Sequence, residues 1–203
     1  MILYVETNFV LELAYVRATS DNCQSLLDLA TSGAITLVVP SFALVEARLA
    51  WQQGVKRRNR LHDEVRNELG ELARSRPLAD IRDQSKAFVA ALIDTAAQDR
   101  SRLEAAVAEL LKYGSVEPTT HEIVRNALQL ENDIGLSPQD ATVYATVLHH
   151  LRTSGDEPKV FATQNTNDFL IPTIEDELAA HNCKLFGSFE SADGYIRKML
   201  SLP

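Results

Sequence analysis

Cysteine is scarce in this chain. There are two, Cys23 and Cys183, in 203 residues, and they lie far apart. That excludes a disulfide framework and the paired spacings of a zinc site. Buried, reduced thiols in a reducing compartment are the expectation. Long apolar runs are also missing. No stretch approaches the roughly 20 residues that span a bilayer, and Met1–Val5 is too short, and lacks the basic flank, to act as a secretion signal. A cytoplasmic protein with no membrane partner is expected. No glycine-rich phosphate loop, dinucleotide fingerprint or HExxH occurs, which removes the footing for nucleotide switches, hydride transfer and zincins. Neither an internal repeat nor a low-complexity segment is visible. Positive charge is in deficit: Lys and Arg number 20 against 28 Asp and Glu, for a net charge of -8. Such a balance excludes a general nucleic-acid coat and leaves binding to local charge.

What is present suits a globular core: 45% of residues are hydrophobic and 24% charged. Ile2–Val5 is a continuous apolar run, as in a parallel strand buried on both faces. Helical patterns follow at Asn8–Val16 and Asp21–Ala30. Ile35–Val39 is a second strand, closed by Pro40, with Ser41 as the cap of a helix carrying Glu46. From Gly54 to Tyr113 the composition turns to Arg, Glu, Ala, Leu and Gln. Apolar residues there recur at helical spacing, predicting two long helices broken near Arg76–Pro77 and ended by Gly114. A helix from His121 to Glu131 follows. Ser137-Pro138-Gln139-Asp140 then reads as cap, first-position proline and first-turn acid of another. Lys159–Ala162 and Lys184–Phe186 are predicted strands, and Ala192–Leu200 a closing helix. Strands alternating with helices predict a three-layer α/β/α fold with a central, mostly parallel sheet. The whole chain, 1–203, reads as one domain, with 55–114 as a helical insertion.

Parallel sheets bind ligands at the carboxyl ends of their strands. Glu6 follows the first strand, and "ATQNTNDF" carries Asp168 just past the third. Glu46 and Asp140 fall near helix N-termini. Four acids, distant in sequence, can therefore meet at one edge. Together they would repel, and need a raised pKa, a basic residue or a divalent metal. Oxygen donors suit Mg²⁺ or Mn²⁺. Such an ion can acidify a water, aim it at a phosphodiester, and stabilise charge at phosphorus.

In this order the stretches "ILYVETN", "PSFALVEARLA", "LSPQDATVYATVL" and "VFATQNTNDF" resemble the PIN-domain family of metal-dependent ribonucleases, which includes VapC-type toxins. The resemblance covers the first fifty and the last ninety or so residues, but not the helical stretch between them. It implies metal-site acids at Glu6, Glu46, Asp140 and Asp168, with Asn8, Thr163 and Asn165 orienting acids or waters around them. It implies RNA as substrate, products with 3′-hydroxyl and 5′-phosphate ends, a homodimer, and a cognate antitoxin protein. The family pattern has Asp where this chain has Glu6, one methylene longer.

Each acid also has an ordinary structural role open to it. Glu6 can cap the helix that follows, Glu46 can pair with Arg48, Asp140 can favour a helix dipole, and Asp168 can serve a turn. Their joint order favours the site. Arg48, Lys56, Arg57, Arg58 and Arg60 form a basic run that reads either as phosphate contacts for RNA or as a solvated helix face. Trp51 reads as core, and His149-His150 as helix surface. The expected function is a divalent-metal-dependent endoribonuclease, with the toxin of a toxin–antitoxin pair as the role the resemblance implies. The alternatives are a PIN-like module, disarmed at Glu6, that binds RNA or protein, and a phosphohydrolase acting on DNA or nucleotides.

Overall fold

The computed structural model describes residues 1–202. Five parallel strands form one sheet: β1 (Ile2–Val5), β2 (Thr36–Pro40), β3 (Ser115–Glu117), β4 (Lys159–Ala162) and β5 (Cys183–Phe186), in the spatial order β3-β2-β1-β4-β5. Alternate side chains of each strand enter separate cores. Leu3, Val5, Leu37, Val39, Val160 and Ala162 point to one face. There they meet α1 (Thr7–Tyr15), α2 (Ser20–Thr31), the base of α3 (Ser41–Leu72) and of α4 (Ile81–Tyr113), and α9 (Phe189–Met199). Ile2, Tyr4, Val38 and Phe161 point to the other face. They meet α5 (His121–Ile134), α6 (Pro138–Thr153), α7 (Thr166–Phe169) and α8 (Pro172–Ala180). Burial on both faces explains why β1 reads as an unbroken apolar run, and β2 and β4 as nearly unbroken ones. The α/β/α architecture expected from the sequence is the one observed.

The path of the chain decides where a site can form. From β1 the chain moves outward through α1 and α2 to β2, and through α3 and α4 to β3. It then crosses back over the opposite face, through α5 and α6, to β4 beside β1, and continues to β5. The order therefore reverses between β1 and β4. Crossover helices leave those two strands on opposite faces, which opens a crevice at their carboxyl ends.

Ser41 does not cap α3: it is the first residue of that helix, and its Oγ accepts the Thr119 N–H at 3.1 Å instead, whereas α5 and α6 start at their caps. Ser137 Oγ accepts the Asp140 N–H at 3.2 Å, with Pro138 in the first turn of α6. Thr120 Oγ1 accepts the Ile123 N–H and starts α5. Three elements differ from the expectation. Strand β3 was not expected, because "SVE" has no apolar run; it exists by pairing its backbone along β2, with Val39 opposite Val116. Helices α7 and α8 were also unanticipated, since the Asn- and Asp-rich stretch before them reads as turn.

The long helices form the expected hairpin, with a 3-10 turn at Arg76–Leu78. Only their bases are packed. In α3 the buried residues are Ala43, Leu44 and Ala47; in α4 they are Asp99, Leu103, Ala106 and Leu110. Beyond these the pair projects as an arm whose Phe88 is 61% exposed. Stability should therefore be unequal along the hairpin. Leu110→Ala, at a fully buried position, should cost about 2–5 kcal/mol in urea unfolding, and Phe88→Ala less than about 0.5 kcal/mol. Equal losses would show that the arm is packed as firmly as its base.

Candidate functional site

The crevice between β1 and β4 is built around one carboxylate. Glu6 follows β1 directly and is only 4% exposed. Its Oε2 accepts the Asn8 N–H at 2.6 Å, capping α1. Its Oε1 accepts the Gln164 N–H at 3.2 Å and the Thr163 hydroxyl at 3.3 Å, both from the segment after β4. The capping role is therefore real, and the same carboxylate also joins β1 to β4. Burial pushes the Glu6 carboxyl up to about 7, against the pull of the hydrogen bonds from Asn8, Gln164 and Thr163.

Four further contacts bring other acids to this edge. The Thr7 hydroxyl donates a short hydrogen bond to Glu46 Oε2. Thr163 Oγ1 accepts the Asn165 N–H at 2.9 Å, and Asn165 Nδ2 donates to Asp140 Oδ1 at 2.8 Å. Asp140 Oδ2 accepts the Ser137 hydroxyl at 2.6 Å. So Glu6 and Asp140 are linked through Thr163 and Asn165, and Glu46 is held one residue from Glu6. Half-burial raises the Glu46 carboxyl above its ordinary value, Thr7 opposes this, and the negative charge of Asp140 adds to it. Glu46 thus senses the charge of Asp140 across the crevice. No ion pair joins Glu46 to Arg48 or to any other cation among the described residues, as two residues apart on a helix do not face each other.

Asp168 stands apart. It lies in the first turn of α7, half-buried, without a hydrogen bond or ion pair among the described residues. Among those residues, no three Asp, Glu, His or Cys side chains gather closely enough to hold one ion. In kind, the donors fit a hard divalent cation: they are all oxygens, Glu46 is raised partly by like charge, and no basic side chain neutralises them. In arrangement they form a linked row of Glu6, Glu46 and Asp140 and not a closed cage.

Thr7 and Gln164 were not anticipated as site residues. Gln164 acts through its backbone N–H, which carries no side-chain signal. Thr7 stood in plain view beside Glu6, but its reach to Glu46 depends on how α1 packs on α3. The basic run divides. Arg58 Nη1 is bound to buried Asp99 at 3.0 Å, and Arg60 Nε to Glu64 at 2.9 Å. Arg48, Lys56 and Arg57 are exposed.

A parallel sheet covered on both faces, with acids gathered where its strand order reverses, defines a three-layer α/β/α protein with a carboxyl-edge site. The sequence profile of the PIN domain matches residues 3–169, and the chain belongs to that family. Among solved structures, the chain is similar to one in the "Crystal structure of VapBC2 from Rickettsia felis bound to a DNA fragment from their promoter". The two share 13% identity at a TM-score of 0.46, over 92% of this chain and 98% of the other. No curated protein sequence matches the chain.

The raised Glu6 carboxyl makes stability depend on pH. Its ordinary value is 4.5, so between that value and about 7 the native state binds a proton that the unfolded chain has released. In EDTA the wild type should lose stability as pH rises through this interval, by on the order of 3 kcal/mol at most. Glu6→Gln lacks that fall, whatever constant offset comes from its altered hydrogen bonds. Urea unfolding of both proteins from pH 4.5 to 7.5 measures the difference; parallel curves would exclude the buried-acid account.

Proposed function

We propose that this protein is a divalent-metal-dependent endoribonuclease, with 1–203 acting as one PIN-like unit and 55–114 as its helical insertion. PIN domains are generally nucleases that use divalent metals. The observation that carries the reading here is the row of Glu6, Glu46 and Asp140, drawn from three separate segments and tied together by Thr7, Thr163 and Asn165. Evolution of a fold needs no such row for stability alone, since each buried or like-charged carboxylate costs energy unless something compensates it.

Glu46 and Asp140 would hold Mg²⁺ or Mn²⁺, with Glu6 and Asp168 completing the set. When bound, the ion supplies acidity to water and charge stabilisation at phosphorus. The remaining tasks fall to the chain. The Thr7 hydroxyl fixes Glu46, the Ser137 hydroxyl and the Asn165 amide fix both oxygens of Asp140, and Asn8 holds the turn after β1. Fixed carboxylates lose little orientational freedom when a cation and a phosphodiester arrive. Glu6 Oε1 and Oε2, held by N–H and O–H donors from both sides of the crevice, remain in register with Asp140. By resemblance to the PIN family, the products would carry a 3′-hydroxyl and a 5′-phosphate. A role as the toxin of a toxin–antitoxin pair, working as a homodimer in the cytoplasm and restrained by an antitoxin, belongs to the same reading. Among the described residues no helix is long and apolar enough to cross a membrane.

One observation favours a second reading. Both carboxylate oxygens of Glu6 accept hydrogen bonds from the protein, Oε2 from the Asn8 N–H and Oε1 from the Gln164 N–H and the Thr163 hydroxyl. A PIN-like module that binds RNA without cutting it would look the same at this position. Cleavage separates the two. Pooled RNA in Mn²⁺ should be cut by the wild type, and Asp140→Asn should reduce the rate by more than about a hundredfold while changing stability by about 1 kcal/mol or less. Normal turnover by folded Asp140→Asn would sink the site. Cleavage by Glu6→Asp alone would establish the disarmed module, and faster cutting of DNA than RNA would move the substrate class.

A further inference from the structure

On the flank of the crevice, where the arm leaves the body, α1, α3 and α4 enclose a second cavity of about 490 Å³. Arg17, Arg57, Arg58 and Arg102 line it, with Tyr15 and Asp99. In a chain whose net charge is -8, this is a local reversal of sign. The carboxylates nearby do not absorb it. Asp99, 4% exposed, takes Arg58 Nη1 at 3.0 Å and Arg102 Nη2 at 2.6 Å. Glu12, also buried, draws Arg17 only to 3.9 Å while accepting two closer hydrogen bonds from Thr19. Arg57 has no ion pair among the described residues and is exposed.

Donors exceed acceptors as well. Nε and Nη2 of Arg58 are buried without a hydrogen-bond partner. Such groups are normally satisfied. Arg102 Nε is spent on the Ala14 carbonyl, which fixes its fork beside the cavity. Arg17 lies over the Tyr15 ring at 4.7 Å, so the ring presents a cation-backed face. Burial pushes the Tyr15 hydroxyl upward, against the pull of Arg58, so it stays protonated and can donate.

We propose that this cavity is an anion site that takes a backbone phosphate of the RNA strand, a placement that rests on the nuclease reading above. Arginine forks match phosphate oxygens in pairs, and a neutral tyrosine hydroxyl adds a donor. The elements give it a fixed offset from the acids. Helix α1 begins at the Glu6 cap and ends at Tyr15, a rise of about 13 Å. Helix α3 likewise carries Glu46 near its start and Arg57 and Arg58 further on. A strand crossing the acids therefore meets the cavity along the same two helices. Arg57 and Arg17 make the contact, Arg58 and Arg102 hold the floor, and Asp99 sets their spacing.

The test is binding, kept separate from cleavage. Labelled single-stranded RNA is titrated with full-length protein in EDTA, by anisotropy, across a salt series. Arg17→Gln with Arg57→Gln should weaken binding about tenfold and lower the slope of log K against log salt by about 1.4, two phosphate contacts on a single strand. Lys198→Gln, a charge removed from α9, should leave both unchanged. Wild-type affinity and slope in the double variant would overturn the proposal, as would undetectable RNA binding by the wild type. An oligoglutamate peptide that binds the wild type more tightly than RNA, and loses that binding in the double variant, would also overturn it by assigning the cavity to an acidic protein partner. If the wild type binds RNA in an arginine-dependent way yet cuts none in Mn²⁺, the anion site stands and the nuclease reading falls.

Discussion

A carboxylate buried at the point where the sheet reverses its strand order is the constraint on which this structure turns. Removing Glu6 from water disfavours its charge, and its raised pKa is the measure of that cost. The compensation comes from both sides of the reversal: the Asn8 N–H in the first turn of α1, and the N–H and hydroxyl of the segment after β4. These donors exist because β1 and β4 lie side by side in parallel, with Val5 level with Ala162. The pairing of two strands separated by more than 150 residues is thus bound up with the state of one acid. Local chemistry and global topology agree here, which is what a specified fold requires.

Much of this was legible before any coordinates. Short, mostly apolar runs announced β1, β2 and β4, because a strand covered on both faces has no alternating polar side. Ser137 and Pro138 announced α6 through the chemistry of a helix start. Strand β3 was illegible for the opposite reason. Its three residues are partly exposed and hold their place through backbone pairing, which leaves no mark on the side chains. The candidate site shows the same division. The acids stood out by type and order. What links them did not: the Gln164 N–H is common to every residue but proline, and the Thr7 contact to Glu46 spans 39 positions and depends on packing.

Charge in the basic run was legible as composition but not as disposition. A helix distributes neighbouring side chains around its axis, so five cations in one stretch face different surroundings. Arg58 turns inward to Asp99 on α4, Arg60 stays on its own helix with Glu64, and Arg57 remains outside. The Arg60–Glu64 pair follows the i,i+4 spacing of one helix, but the Arg58–Asp99 pair is decided by the antiparallel packing of α3 on α4, which no spacing rule along one helix contains.

The unbroken length of α3 has a mechanical meaning. Its 32 residues extend about 48 Å, yet only about the first three turns are gripped by the core. Such a rod behaves as an unequal beam. If it rocks about its packed end, the far tip travels roughly six times further than Glu46, which lies only about 7 Å from the start. Swaying of the arm by several ångströms then reaches the carboxylate as a fraction of one. The protein can carry a long, loosely supported appendage and still keep its acids steady, because leverage runs outward from the crevice and is reduced on the way back.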